Sequence, residues 1–380
     1  ILGNHTLLGG VQGYFTRLRE TGLYVISAED EKTSPYYGVP YTSIGKKHAN
    51  EVGFFVQDEW NVTPKLTVVP GIRVDSHSSG EEYATSVKVS DSAFPTTKFS
   101  KTTVNPRIAI KYELTPSLVL RANVGTGFRA PYGFSEDLHL CSGSPRVWKS
   151  SNLKGERAIS YNLSADYYAK KYQFSINIFR TNLKDKIQFS PADDEVKKFG
   201  YSYQWENVDD AYVQGVELGA KANLFRNFNA GINWTFNQGK FKHERADWSD
   251  PNDETVKEFP QRLQYAKDSR NISRFPAMTG DIDLDYTPGT WTFSLTSSLQ
   301  GRMFIDYNSE DDGATSKIKK TNTFMIFNCR AAKRFGTCTV YAGAKNIFSY
   351  IQDEKHTDDA AFMYAPVYGA TWYVGLSVKL

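Results

Sequence analysis

What this chain lacks narrows its class before any motif is read. Three cysteines in 380 residues are too few for a disulfide scaffold, and the odd number leaves at least one thiol outside any intrachain bond. No run approaches the roughly 18 apolar residues of a membrane-crossing helix, so helical spanning is excluded. A net charge of only +3 gives no electrostatic ground for a nucleic-acid partner. No nucleophile stands near a histidine in a recognisable pattern, so the chain is not read as an enzyme. A signal peptide is also missing before Ile1, and the expectation is a processed or partial chain.

What is present is alternation. Mean hydropathy of −0.48 with 23% charged residues resembles a soluble protein, but a β-barrel hides its apolar residues by placing them on every second position. Ala370, Trp372, Val374, Leu376, Val378 and Leu380 share one strand face, while Thr371, Tyr373, Gly375, Ser377 and Lys379 take the other. Tyr172, Phe174, Ile176 and Ile178 repeat the pattern against Gln173, Ser175 and Asn177, as do Phe228, Ala230, Ile232, Trp234 and Phe236 against Asn229, Gly231 and Asn233. Short turns flanked by aromatics join such segments: Tyr112 to Ser117, Tyr167 to Tyr172, Phe225 to Phe228, Tyr286 to Trp291 and Phe335 to Thr337. Amphipathic rings settle at a bilayer surface, so these turns mark one side of a membrane wall.

About fourteen strands are expected, near 5–18, 49–62, 65–78, 99–113, 117–127, 156–169, 172–189, 200–224, 227–240, 273–287, 290–305, 321–335, 337–347 and 365–380. Many reach the ~9–11 residues that a tilted strand needs to cross a bilayer, longer than the usual strand of a soluble two-sheet sandwich. Short turns alternate with long polar segments at roughly 19–48, 79–98, 128–155, 241–272 and 348–364. That asymmetry is the one of outer-membrane barrels, with short periplasmic turns and longer extracellular loops. The predicted fold is therefore all-β, a transmembrane antiparallel up-and-down β-barrel occupying 1–380.

Five segments then resemble one family in its own order: Asn123-Val-Gly-Thr-Gly-Phe-Arg-Ala-Pro131, Asn152-Leu-Lys-Gly-Glu-Arg157, the run from Asn207 to Leu218, Ala342-Gly-Ala-Lys-Asn-Ile-Phe348, and the C-terminal aromatic strand. From about residue 100 onward the chain resembles the TonB-dependent receptors of the Gram-negative outer membrane. The resemblance implies a 22-stranded barrel around a plug domain. This chain would supply its last fourteen strands, with the plug and the first eight lying upstream. It also implies active uptake, energised by the TonB-ExbB-ExbD complex, of a scarce ligand that binds the outer loops, with a surface-exposed lipoprotein as a further partner beside membrane lipid and lipopolysaccharide. The alternative is a complete fourteen-stranded passive porin.

The candidate site residues follow from that topology. Arg107, Arg121 and Lys111 face the lumen, where cations either steer anionic groups or pair with neighbouring carboxylates. His48, His77, His139, His243 and His356 fall in long loops or at outer strand ends, where a neutral imidazole is a donor for a chelated metal. His139 lies between Phe128-Arg129-Ala-Pro131 and Asn152-Leu-Lys154, which resembles the arrangement of haem receptors, although Ser150-Ser-Asn-Leu153 lacks their usual proline. The stretch from Gly133 to Arg146 is similar instead to cobalamin-type receptors of Bacteroidetes. The ligand-binding candidates are thus His139, Arg129, Arg121, His243 and His356, and the cargo that the resemblance implies is a metal chelate: cobalamin, haem or a ferric siderophore. No resident cofactor is required. Acidic loop clusters, Asp193 to Glu195, Asp250 with Asp253, Asp311 with Asp312, and Asp358 with Asp359, are the candidates for loop-bound calcium, though none has EF-hand spacing. Cys329 and Cys338 fall on apolar faces as small hydrophobes, Cys329 opposite a residue near Ala344, and Cys141 stands in a loop.

Overall fold

A computed structural model describes residues 3–25, 37–86, 94–132, 147–191, 193–197, 203–243, 270–308, 316–352 and 364–379. Seventeen strands stand among these: β1 (His5–Tyr24), β2 (Tyr41–Thr63), β3 (Leu66–Thr85), β4 (Thr97–Thr115), β5 (Leu118–Arg129), β6 (Val147–Lys149), β7 (Glu156–Tyr168), β8 (Tyr172–Pro191), β9 (Tyr203–Phe225), β10 (Phe228–Phe241), β11 (Met278–Tyr286), β12 (Trp291–Gln300), β13 (Phe304–Asn308), β14 (Ser316–Lys320), β15 (Phe324–Phe335), β16 (Cys338–Lys345) and β17 (Thr371–Val378). Fourteen of them pair in sequence order, β1 through β5, then β7 through β12, then β15, β16 and β17. β6 lies beside β9 in parallel, and β13 with β14 forms a separate two-stranded sheet.

The fourteen-strand path coincides with the fourteen segments expected from alternation, and Cys329 stands opposite Ala344 in the β15–β16 register. Three strands were missing from the sequence reading. β6 is three residues long, too short to show a period, and β13 and β14 break away where the expected strand 290–305 ends at Gln300. The long connections are also shorter than expected, since β2 starts at Tyr41 and β3 runs to Thr85. His48 and His77 therefore lie within strands.

The tight turns repeat one device. In Thr63-Pro-Lys65 the Thr63 Oγ1 accepts from the backbone N of Lys65 at 3.2 Å and of Leu66 at 3.0 Å. Thr115 does the same for Ser117 at 3.2 Å and Leu118 at 3.0 Å. A hydroxyl closing the turn on itself, with proline fixing φ, needs no further residues. Aromatic rings cluster beside the turns: Phe225 stacks on Phe228 at 4.7 Å, and Trp291 on Phe293 at 5.5 Å.

Contacts divide the chain into two compact units. The first comprises Ile1–Ile110, Asn123–Tyr161 and Thr181–Ala211, and the second Lys111–Ala122, Asn162–Arg180 and Tyr212–Leu380. In each, one strand face carries exposed apolar side chains, among them Val104, Ile108, Phe54 and Val56 in the first unit and Phe174, Ile176, Ile178 and Leu376 in the second. Trp372 and Val374 are 76% and 78% exposed. Contiguous apolar surface on this scale is an association surface in water but matches the hydrocarbon of a bilayer. The longest strands, of 20 to 23 residues, exceed the ~9–11 that a bilayer requires, so they carry polar side chains well past its surface.

Candidate functional site

On the polar face of the first unit, the side chains satisfy one another in a cross-strand ladder. Gln12, Gly53 and Asp75 stand side by side across β1, β2 and β3. The Arg73 guanidinium spans this row, donating to Asp75 Oδ1 at 2.6 Å, Gln12 Oε1 at 3.0 Å and Glu51 Oε1 at 3.1 Å. Asp75 takes a further bond from Asn105 Nδ2 at 3.3 Å. The middle position must be glycine: a Cβ on residue 53 would fall 2.2 Å from Asp75 Oδ1 and 2.4 Å from Arg73 Nη2. Buried His77 extends the ladder, with Nδ1 3.5 Å from Glu51 Oε2 and Nε2 3.3 Å from Thr103 Oγ1. Both of its ring nitrogens are engaged, so His77 is a member of this network and not a free donor for a chelated metal.

Nearer the loops, three of the family-like motifs are sewn to one another. Phe128, from the first, lies 5.0 Å from the His77 ring and 6.1 Å from Phe99, with Lys101 Nζ 5.4 Å from its centroid. The glycine of the second motif makes room for it, since a Cβ on Gly155 would meet the Phe128 ring at 2.1 Å. Tyr132, buried and in a left-handed conformation (φ 61°), donates its hydroxyl to Ser150 O at 2.7 Å and accepts from Leu153 N at 3.2 Å. Asn207, from the third motif, accepts from Lys154 N at 2.8 Å and donates to Lys154 O at 3.1 Å and Asp185 O at 2.7 Å. Tyr132, Leu153, Ile187 and Trp205 close a small core behind these bonds.

A buried ion pair fastens β6 to the same region. Lys149 Nζ sits 2.6 Å from Glu81 Oε1, their side chains 6% and 1% exposed, and Tyr83 donates to Glu81 Oε2 at 2.6 Å. Lys47 and Glu20 form a second pair at 2.7 Å. Residues on both sides of 133–146, namely Tyr132 and Lys149, are thus rigidly held. The motifs act here as loop anchors.

Among the described residues, the second unit anchors its loops without buried charge. Asn346, from Ala342 to Phe348, sits in a left-handed conformation (φ 51°). Its amide donates to Tyr350 O at 2.7 Å and Tyr368 O at 3.1 Å and accepts from Tyr350 N at 2.9 Å. Gln352 Oε1 accepts from Tyr364 N at 3.1 Å and Ala365 N at 3.2 Å, beside a core of Met303, Phe324 and Tyr364.

The residues expected to meet a ligand divide as follows. Arg121 pairs with Asp166, Arg107 donates to Gln57, and Lys111 lies 2.7 Å from Glu113, so these cations are occupied within the wall. Arg129 lies 3.7 Å from Glu156, whose Oε2 also accepts from Ile187 N. His243 follows the end of β10 and is exposed. His139, His356, Cys141, Asp250, Asp253, Asp311, Asp312, Asp358 and Asp359 lie outside the described residues. Of the acidic clusters, Asp193 is used locally: its Oδ1 accepts from Val196 N at 2.9 Å and caps the single helical turn Asp194–Lys197. Among the described residues no group of three or more His, Cys, Asp or Glu side chains is placed to hold a metal. Sequence reasoning missed Asp75, Glu81 and Lys149. Their only signal was a charge at an inward position of a strand, which pattern alone cannot pair.

Comparison with known proteins places this architecture. Over 266 residues the chain is 26% identical to the vitamin B12 transporter BtuB of Photobacterium profundum, covering 68% of this chain and 36% of that protein. It is 25% identical over 202 residues to a ferric enterobactin receptor of Pseudomonas aeruginosa, covering 48% of this chain and 24% of the other. Among solved structures, the ferric yersiniabactin uptake receptor FyuA of Yersinia pestis superposes with a TM-score of 0.66 at 14% identity, covering 98% of this chain and 49% of FyuA. The chain thus spans half or less of the length of these proteins. Residues 2–347 match the family described as TonB dependent receptor-like, beta-barrel, and the chain belongs to that family of the bacterial outer membrane.

Proposed function

We propose that this chain is wall and loop scaffold of a receptor that takes up a scarce metal chelate, a cobalamin, haem or ferric siderophore, by TonB-coupled transport. The observation that carries the reading is the knot formed by Tyr132, Leu153, Lys154 and Asn207, which fixes the bases of successive loops without using any exposed loop side chain. Rigid scaffolds that fix the bases of loops are where binding residues are commonly carried. The relatives named for vitamin B12 and ferric enterobactin support a chelate as the cargo class. In this reading Arg129, His139, His243 and His356 are the ligand-side candidates, Arg129 in the scaffold and His243 just past the end of β10. Arg121, tied to Asp166, keeps the wall in register.

The test is growth of a strain deleted for the intact receptor, supplied in turn with cobalamin, haem or a ferric siderophore as the limiting source. Loss of growth on one of them, restored by the receptor gene, is the expected result. Unchanged uptake of all three defeats the chelate reading and favours an oligosaccharide or peptide cargo, while concentration-linear uptake of small solutes favours the passive porin.

A further inference from the structure

Several cations of the wall are paired within it, whereas four at its short turns are not. Arg73, Arg107, Arg121, Lys111 and Lys149 each meet a carboxylate or an amide oxygen. In the second unit, Lys170 and Lys171 stand in the turn between β7 and β8, Arg226 in the turn between β9 and β10, and Arg334 one residue before the end of β15. All four are exposed. None of their side chains has a hydrogen-bond or ion-pair partner among the described residues. No Asp or Glu occurs in 167–172, 225–228, 286–291 or 333–339, so the turns themselves offer no counter-charge.

Backbone bonds hold these turns in place. Asn223 N donates to Lys171 O at 2.8 Å, Thr287 N to Asn227 O at 2.8 Å and Arg334 N to Thr290 O at 2.9 Å, so each turn is bonded to the strand or turn beside it. Asn227, in a left-handed conformation (φ 66°), lets the chain reverse within two residues. Neighbouring hairpins, two strands apart, are spaced by about 10 Å, which sets the cations in a row and not at one point. The rings beside them locate the row in depth. Tyr167, Tyr172, Phe225 and Tyr286 occupy the level of the lipid headgroups. Lys333, 4.8 Å over Trp291 and 5.0 Å over Phe335, is the cation that stays among the rings. Lys170, Lys171 and Arg226 lie past the rings at the chain reversals, on the side where short turns meet the periplasm.

We infer that Lys170, Lys171, Arg226 and Arg334 form a docking row for the cell-wall glycan, whose peptide stems carry carboxylates at recurring intervals. A compact acidic solute needs its partners gathered at one point, whereas a linear polyanion lies along a row. Each carboxylate placed at a turn takes charge-assisted hydrogen bonds that no acid of these turns competes for. Lipid headgroups lie at ring level, where Lys333 is. The inference rests on the periplasmic side of the short turns and is independent of the cargo.

The experiment sediments the intact receptor, held in zwitterionic lipid nanodiscs, with purified cell-wall sacculi and measures the bound fraction. Each exposed cation removed should weaken binding by up to about fivefold, so K170S/K171S/R226S/R334S should fall to background. R17S/R19S/K46S/K98S removes as many exposed cations from the loop end of the first unit and should bind like the parent. K170R/K171R/R226K/R334K keeps the charge and should also bind like the parent. Sacculi whose carboxylates have been amidated should fail to retain the parent itself, a result that needs no variant to fold. Equal retention of the parent and K170S/K171S/R226S/R334S overturns the inference, and an equal loss in the loop-end control does so by showing charge acting without a site. Retention that survives amidation also overturns it. So does a K170S/K171S/R226S/R334S protein that keeps its sacculus binding and loses only binding to phosphatidylglycerol vesicles, which would assign the cations to lipid.

Discussion

The two compact units hold their loops by different physics. The first buries charge: Lys47, Asp75, Glu81 and Lys149 are all within its interior, each with a partner. The buried polar side chains of the second, among the described residues, are neutral: Ser297, Thr321, Asn346 and Gln352. Buried ion pairs contribute little net stability because desolvation offsets their attraction, yet removing one partner is severe. Buried amides that answer backbone groups cost less to lose. Losing one partner of a buried pair is therefore expected to cost the first unit more than losing one buried amide costs the second.

The comparison breaks most readily at Glu81. Glu81→Ala removes the carboxylate that pairs with Lys149 of β6, and breaking a buried pair of this kind costs about 3–5 kcal/mol. Urea unfolding of the intact receptor in lipid vesicles reads this directly. Gln352→Ala in the second unit should cost only about 1–3 kcal/mol, and equal losses at the two positions would remove the contrast. Next comes Gly155→Ala, whose new Cβ would meet the Phe128 ring at 2.1 Å, an overpacking worth about 1–3 kcal/mol. Its control in the second unit is Gly231→Ala, where the nearest atoms are 3.9 Å away and the effect should stay within about 0.5 kcal/mol.

A smaller effect is expected for Asn346→Gly. Glycine keeps the left-handed backbone while the side-chain bonds to residues 350 and 368 are lost, costing about 1–2 kcal/mol. Protease susceptibility of the β16–β17 connection should rise before global stability falls. The smallest is Arg121→Gln. Its guanidinium is 41% exposed, and pairs of that kind contribute about 0–1 kcal/mol. A larger loss in the same unfolding assay would mean that Arg121 does more than hold Asp166.

How much of this was legible in the sequence follows from which interactions are local. Alternation is a property of consecutive residues, so the fourteen paired strands and their lipid-side faces could be read from runs such as Tyr172 to Ile178. The aromatic turns were legible for the same reason, Thr115 closing on Leu118 within four positions. The ladder was not, because Arg73 reaches Gln12, 61 positions away, and Lys149 reaches Glu81, 68 positions away. Pairings of that kind depend on register, which alternation does not specify. His77 shows the consequence: read as a donor near the loops, it is a buried strand residue between Glu51 and Thr103. The motif glycine at 155 and asparagine at 207 were visible as family-like letters, but only the packing of Phe128 and the bonds to Lys154 explain why those letters are needed.

Membership of this wall in an energy-coupled importer is read out by initial uptake rates of radiolabelled cobalamin, haem and ferric siderophore. The rates would be measured in cells carrying the intact receptor, with and without TonB. Saturable uptake of one of these chelates that disappears when TonB is removed is the expected result. Uptake that persists unchanged without TonB and rises linearly with concentration would contradict it.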